Sequence, residues 1–328
     1  MANRKEEMQA ALELRPPKEA VPYWELHFHC WDQASRRHFV VGTEYAQLTP
    51  AEQERAIALD AEIMASVAKE YGFSAVTIPD GYWEIGPGEP TYYWMPQEGR
   101  LKLANALFRL AGSELMVVAA AGGILGMPGS AVGYEEFCLR LYDAPEEVDE
   151  MARQRLQSGL ETIKQFCDVG VGAVYTGADQ ADNRGPFFTP KQLHRFVLPY
   201  LREWADSVKR MNLYAIMHTD GNIMPILDDL IGCGIQALQA IDPTAGMDIR
   251  QVQALVGDRI CLCGNVDPGL IFTGPAEEIY NVTRDLLLDC KAKPGFILGS
   301  SNAVFHETPI EHYLAMVQAF RDYGSYAS

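Results

Sequence analysis

Residues 217–222 read MHTDGN; they follow the apolar run NLYAI and precede the helix-like IMPILDDLIGCG. Alternate residues of a strand point to one side. The i, i+2 spacing therefore aims the imidazole of His218 and the carboxylate of Asp220 into one space, provided the strand geometry persists through Thr219. Such a pair can hold a Lewis-acidic metal ion or position a proton donor. The structural alternative is that Asp220 caps the following helix and His218 merely packs. ELHFHCWD repeats the spacing with Glu25, His27 and His29. That set can complete a metal site with His218, hydrogen-bond a substrate, or be structural. In CLCG, Cys261 and Cys263 share one face of a strand, and Cys263 is a further candidate ligand beside His218 and Asp220. Cys-x-Cys alone is a weaker metal signal than paired CxxC motifs.

These side chains need a frame that brings several strand ends together. Short β-like runs recur along the chain: VPYWELHF, SAVTIPD, ELMVVAAAG, GAVYTGAD, NLYAIMHTDG, GIQALQAID, RICLCGNVD and GFILGSSN. Between them lie segments with i, i+3, i+4 apolar spacing, such as TPKQLHRFVLPYLREWADSVKRM, AEEIYNVTRDLLLDC and TPIEHYLAMVQAFRDYG. The strands are near-continuous apolar runs, as parallel strands covered by helices are. Eight βα units in series predict a (β/α)₈ TIM barrel over 21–328, preceded by an N-terminal helical extension over 1–20. In such barrels the chemistry collects where the strands end. Here those ends carry Glu25, His27, His29, Asp80, Asp179, Asp182, His218, Asp220, Asp242, Cys263, Asn265, Asp267, Ser300, Ser301 and Asn302. Some of these are expected to be caps, because Asp and Asn favour turns and helix N-termini regardless of function.

Composition narrows the partners. A formal charge of -17 and the lack of a basic stripe argue against nucleic acid and anionic membranes. With 48% hydrophobic and 22% charged residues, and no apolar run of membrane-spanning length, the chain is expected to be globular. The charged N-terminal segment is unlike a signal peptide, so a cytoplasmic address is expected, with the seven cysteines as reduced thiols. No GxGxxG or P-loop pattern is present, so no bound nucleotide is expected.

Four stretches, GPFFTPKQLHRFVLPYLREWADSVK, MHTDGNIMPILDDLIGCGIQALQAID, LCGNVDPGLIFTGPAEEI and GFILGSSNAVFHETPIEHYLAMVQAFRDYG, resemble the uroporphyrinogen decarboxylase superfamily. The resemblance implies a distorted (β/α)₈ barrel with its site at the strand C-termini, and either decarboxylase or corrinoid-linked methyltransferase activity. The decarboxylases carry an RQAGR-like stretch after the first strand that binds substrate carboxylates. This chain has ELHFHCWDQASRR there, with His27 at the first arginine's place and Arg36 and Arg37 about seven residues too late. The thiol-methylating branch binds zinc through His-x-Cys and a later Cys. His218 with Asp220, and Asn302, stand at those positions and supply no thiolate.

The HTDG and GSSN versions are more similar to the first methyltransferases of O-demethylase systems, which move methyl from a methoxylated aromatic compound to the cobalt of a corrinoid (cobalamin) protein. What the resemblance then implies is a site that stabilises the departing phenolate. His218 is the donor or ligand, Asp220 its orienting or co-ligating partner, and Asp179 a further catalytic carboxylate. A zinc ion held by His218, Asp220 and Cys263 is one form of that site. Glu25, His27, His29, Asp80 and Asn302 are candidate substrate contacts; Asp80 and Asp179 would disfavour a polyanion and accept a phenolic hydrogen bond. The loop PDGYWEIGPGEPTYYWMP adds Tyr82, Trp83, Tyr93 and Trp94, which suit stacking on a planar ring. They equally suit packing a lid or an oligomer interface, and a homodimer is one expected assembly. Decarboxylation, or transfer from methylcorrinoid to a thiol, is the alternative activity.

Overall fold

Each predicted apolar run contains a strand, and the strands are short. The computed structural model describes residues 3–81, 93–128 and 131–326. Its strands are β1 (His27–Phe28), β2 (Ala75–Thr77), β3 (Met116–Ala120), β4 (Ala173–Gly177), β5 (Ala181–Asp182), β6 (Gly185–Pro186), β7 (Tyr214–Thr219), β8 (Ala237–Ala240), β9 (Cys261–Cys263), β10 (Phe296–Ile297) and β11 (Ala303–Val304). Seven of them form one curled parallel sheet in the order β2-β3-β4-β7-β8-β9-β10. The first apolar segment closes the ring as an eighth stave. Trp24 N donates to Leu298 O (2.9 Å), Leu298 N to Pro22 O (2.9 Å), and Ser74 N to Tyr23 O (2.7 Å). At the rim β1 pairs with β11, His27 opposite Ala303. The fold is a (β/α)₈ TIM barrel.

The helices begin where the sequence places caps. Thr49 and Glu52 form a capping box ahead of the helix Pro50–Tyr71, and Thr189 and Gln192 another ahead of Pro190–Phe196. The long helix predicted over 189–211 is instead two, Pro190–Phe196 and Leu198–Arg210, interrupted at Val197, two residues before Pro199. Proline lacks the amide that would continue the helical ladder. Among the described residues no helix is long and apolar enough to cross a membrane.

Two apolar layers result. Trp24, Leu26, Met116, Val118, Tyr175, Ile216, Cys261 and Cys263 fill the inside of the ring, and a larger cluster packs the ring against its helices. The N-terminal helix Arg4–Leu12 adds Met8, Ala11 and Leu12 to the inner cluster. Its start is tied to the chain just before β3, with Lys5 N donating to Glu114 O at 3.0 Å. The helix therefore plugs the N-terminal end of the barrel, leaving the other end for polar side chains.

Candidate active site

β7 lies between β4 and β8, and the register sets His218 opposite both Gly177 and Gln239. That placement fixes the imidazole. Gln239 Nε2 donates to Ser300 O and Ser301 O, each at 3.1 Å, so its carbonyl oxygen must face His218. His218 Nδ1 lies 2.5 Å from that oxygen and carries the proton. In the neutral ring Nε2 is then a lone pair. It points at two carboxylates, Asp220 Oδ2 at 3.7 Å and Asp179 Oδ1 at 4.0 Å.

The carboxylates are held as firmly. Asp220 N donates to Asp179 Oδ1 at 2.9 Å. Asn302 Nδ2 donates to Asp220 Oδ2 at 2.5 Å, its amide oriented by Ala303 N on Oδ1 at 2.7 Å. Burial raises the Asp220 carboxyl to about 6, with Asp179 and Asp242 pushing the same way and His218 and Asn302 opposing. Behind His218, the backbone just after Gln239 is left-handed at Ala240 (φ 100°) and Ile241 (φ 47°). Such strain persists only where surroundings enforce it; here Asn265 Nδ2 grips Ile241 O at 2.6 Å.

One ligand atom from each of Asp179, His218 and Asp220 lies within 4.8 Å of the others. A lone-pair imidazole nitrogen and two carboxylates fit a divalent ion, and the oxygen-rich set is harder than a thiolate site. Cys263 is not part of it. It pairs with Gln239, two strands from His218, and its thiol meets that of Cys261, whose proton burial and this contact hold on tightly. The proposed ligand set therefore loses Cys263 and gains Asp179.

A second polar cluster faces the first. Tyr175 Oη donates to Asp80 Oδ2 and lies 3.1 Å from His27 Nε2. His27 Nδ1 is 3.5 Å from Asp80 Oδ1. Burial pushes His27 below the usual imidazole range, Asp80 opposing, and His218 is near enough to depress it further. His29 is driven well below that range by burial. Arg100, half-buried, donates to Ala120 O and Gln97 Oε1 and lies over the Phe166 ring.

Glu25 leaves this group. Period 2 would align it with His27, but the chain bends at Leu26, and both Leu26 and His27 reach the barrel interior. Glu25 turns outward, accepting from Ser300 N (2.8 Å), Ser300 Oγ (2.5 Å) and Tyr313 Oη (2.9 Å). It is a buried strut between first strand, last strand and last helix. Tyr93 is also committed: its ring lies 3.9 Å from His29, stacks with Phe39 and receives the Trp31 indole hydrogen bond at 2.7 Å. Its faces are used in packing the mouth, and His29 is buried behind it. Trp94 is half-buried, and its Nε1 has no hydrogen-bond partner among the described residues. Tyr82 and Trp83 lie outside the described residues. Asp182, Asp242 and Asp267 cap turns, through Arg184 N, Thr244 N and Gly269 N.

Sequence reasoning passed over Gln239, Tyr175, Arg100 and Gly177. Gln239 and Tyr175 sit inside apolar strand runs, where strand alternation alone could have flagged them as inward-facing polar groups. Gly177 carries no such signal.

The family described as "Uroporphyrinogen decarboxylase (URO-D)" matches residues 98–323. A curated uroporphyrinogen decarboxylase of Coxiella burnetii is 28% identical over 164 residues, 46% of this chain and 42% of that protein. One of Hydrogenovibrio crunogenus is 24% identical over 201 residues, 58% of this chain and 52% of its own length. The matches thus span about half of these relatives. Among solved structures, a methyltransferase from Methanosarcina mazei superposes with a TM-score of 0.71 at 18% identity, covering 98% of this chain and 99% of that one. At that identity the likeness is one of fold.

Proposed function

The chain belongs to the uroporphyrinogen decarboxylase family, and from that membership we propose that it is a methyltransferase. It takes methyl from a methoxylated aromatic compound and passes it to its second substrate, the cobalt of a corrinoid on a separate protein. The observation that carries this reading is the His218 Nε2 lone pair set between Asp179 and Asp220, with no thiolate beside it among the described residues. Cleaving an aryl ether requires stabilising the phenolate that leaves. Asp179, His218 and Asp220 would hold a divalent ion, and that ion would supply Lewis acidity for this purpose.

The protein's own residues do the rest. Gln239 keeps Nε2 facing the cavity, and Asn302 fixes Asp220. Gly177 leaves room beside His218 for the methoxyl group: a Cβ there would lie 3.8 Å from His218 Cδ2 and 3.5 Å from Tyr175 Cε2. Charge disfavours the decarboxylase alternative. Asp80, Asp179 and Asp220 would oppose a polycarboxylate, and Arg36 and Arg37 are exposed, Arg37 paired with Glu62 at 2.9 Å.

Metal analysis of the purified chain, followed by mixing it with methoxybenzenes and a reduced corrinoid, tests the reading. Formation of methylcobalt and a free phenol supports it. Carbon dioxide released from a porphyrinogen carboxylate, without methyl transfer, would support decarboxylation instead.

A further inference from the structure

His218 and Asp220 are oriented from one and the same turn. Gln239, which sets the His218 tautomer, anchors its amide on Ser300 O and Ser301 O, while Asn302 donates to Asp220 Oδ2. Whatever fixes residues 300–302 therefore fixes two members of the trio together. Glu25 meets that turn from the first strand: its Oε2 accepts from Ser300 N at 2.8 Å and lies 2.5 Å from Ser300 Oγ. The same Oγ lies 2.5 Å from Asn302 O.

Each of these two hydroxyl contacts joins a pair of oxygens at the short end of the O–H···O range, so each calls for a hydrogen on its line. One hydrogen aimed between both acceptors would lie off both lines, and such bonds weaken steeply with angle. Ser300 brings one hydrogen and the carbonyl of Asn302 brings none, so the second stands on Glu25. Oε1 of Glu25 already accepts from Tyr313 Oη (2.9 Å), which in turn accepts from Tyr23 Oη (2.7 Å). The carboxyl hydrogen is then on Oε2 and directed at Ser300 Oγ, which leaves the hydroxyl to close the turn on Asn302 O. Burial agrees with this placement, raising the Glu25 carboxyl to about 7. The titratable groups around it are Tyr23 on the same segment, Tyr313 on the last helix and Cys30 just past the first strand. Burial makes all three hold their protons, and no cation contributes to the shift at Glu25.

We propose that Glu25 is a positioning residue that works as a neutral carboxylic acid: its hydrogen turns the Ser300 hydroxyl onto Asn302 O and so locks the turn that orients Gln239 behind His218 and Asn302 beside Asp220. Glu25 is then the donor in its contact with Ser300 Oγ. Loss of that hydrogen draws the hydroxyl to the carboxylate, because a charged acceptor binds it more strongly. Ser300 Oγ and Asn302 O are left as bare oxygens 2.5 Å apart, and the turn moves to separate them. Gln239 loses the carbonyl pair that holds its amide, and His218 exchanges its proton between Nδ1 and Nε2. The site therefore loosens as pH rises through about 7. The consequence for a bound ion rests on the proposed function; the hydrogen on Glu25 and its hold on the turn do not.

NMR and calorimetry test this on the intact chain. With ¹³C-glutamate labelling, the carboxyl resonance that Glu25→Gln lacks should be that of a neutral acid below pH 7, and an ionised carboxylate there overturns the proposal. With ¹⁵N-histidine labelling, His218, assigned with His218→Ala, gives the ratio of its Nδ1–H to its Nε2–H tautomer. In wild type that ratio should fall as pH rises through 7, and in Glu25→Gln and Ser300→Ala it should not. A wild-type ratio that ignores pH, or one that falls alike in the variants, overturns the link from Glu25 to the site. Calorimetric titration with Zn²⁺ gives the affinity of wild type relative to Glu25→Gln, a quotient in which titrations common to both chains cancel. It should drop ~10- to 100-fold from below to above pH 7, the effect of losing a ligand's outer hydrogen bond. A quotient independent of pH leaves Glu25 a structural strut only and overturns its positioning role. If Glu25→Gln does not fold, Ser300→Ala removes the hydroxyl that both contacts share and supplies the same comparison. A wild type that binds no Zn²⁺ removes the metal reading, while the histidine spectra still decide the positioning.

Discussion

At the residue scale, the chemistry depends on which atom of each side chain faces the cavity, and that is set by residues carrying no catalytic signature. His218 and Asp220 were legible because i, i+2 spacing on a strand puts two side chains on one side. The proton on Nδ1 was not, because it depends on Gln239, a residue from another strand whose amide is oriented by Ser300 and Ser301. Gln239→Ala should therefore weaken binding of Zn²⁺ or Co²⁺ by ~10- to 100-fold, as loss of a ligand's outer hydrogen bond does; calorimetric titration would show it, and unchanged affinity would mean the ion does not use His218. Gly177→Ala places a methyl in the gap at ordinary contact distances from Tyr175 and His218. It should raise KM for the methoxyarene on the order of tenfold, the effect of a group that must be accommodated in a fitted pocket, with the melting temperature little changed. A KM equal to wild type would place the substrate elsewhere.

At the scale of elements, strand positions were readable from apolar runs, but the parity of the first strand was not. A single bend at Leu26 separates Glu25 from His27, and nothing in the hydrophobic pattern marks it. Glu25 instead ties the ring's closing seam to the last helix, and burial raises its carboxyl to about 7 despite the opposing bonds from Ser300 and Tyr313. The folded state thus holds a proton on Glu25 that the unfolded chain, with the ordinary value of 4.5, has already lost. This contribution is full below that value and fades as pH rises towards 7, by about 3 kcal/mol in all. Asp60, buried and also raised to about 7, adds a change of the same sign. Glu25→Gln should accordingly flatten the fall in unfolding free energy between pH 5 and 7 by about one proton's worth while leaving the Asp60 part. Chemical denaturation across that range would reveal it, and an unaltered slope would show Glu25 ionised in the native seam.

At the scale of the molecule, counting βα units predicted the barrel, because parallel strands buried on both faces leave uninterrupted apolar runs. Less visible was the division of its two ends. The N-terminal helix closes one end with Met8, which is 0% exposed, so Met8→Ala should cost ~2–5 kcal/mol of stability without affecting methyl transfer well below the melting temperature. A loss of activity with stability intact would mean that the plugged end communicates with the mouth. The open end gathers the Asp179–His218–Asp220 trio and the Asp80–Tyr175–His27 cluster from strands distant in sequence, a meeting that neither spacing nor composition states.

The most direct test of the account is the absorbance change as Co(I) corrinoid becomes methylcobalt, recorded with a methoxybenzene and either the wild-type chain or His218→Ala. Stoichiometric methylation and phenol release are expected with wild type, and a rate with His218→Ala indistinguishable from the corrinoid alone. Full-rate methylation by His218→Ala, in a chain that melts at the wild-type temperature, would contradict it.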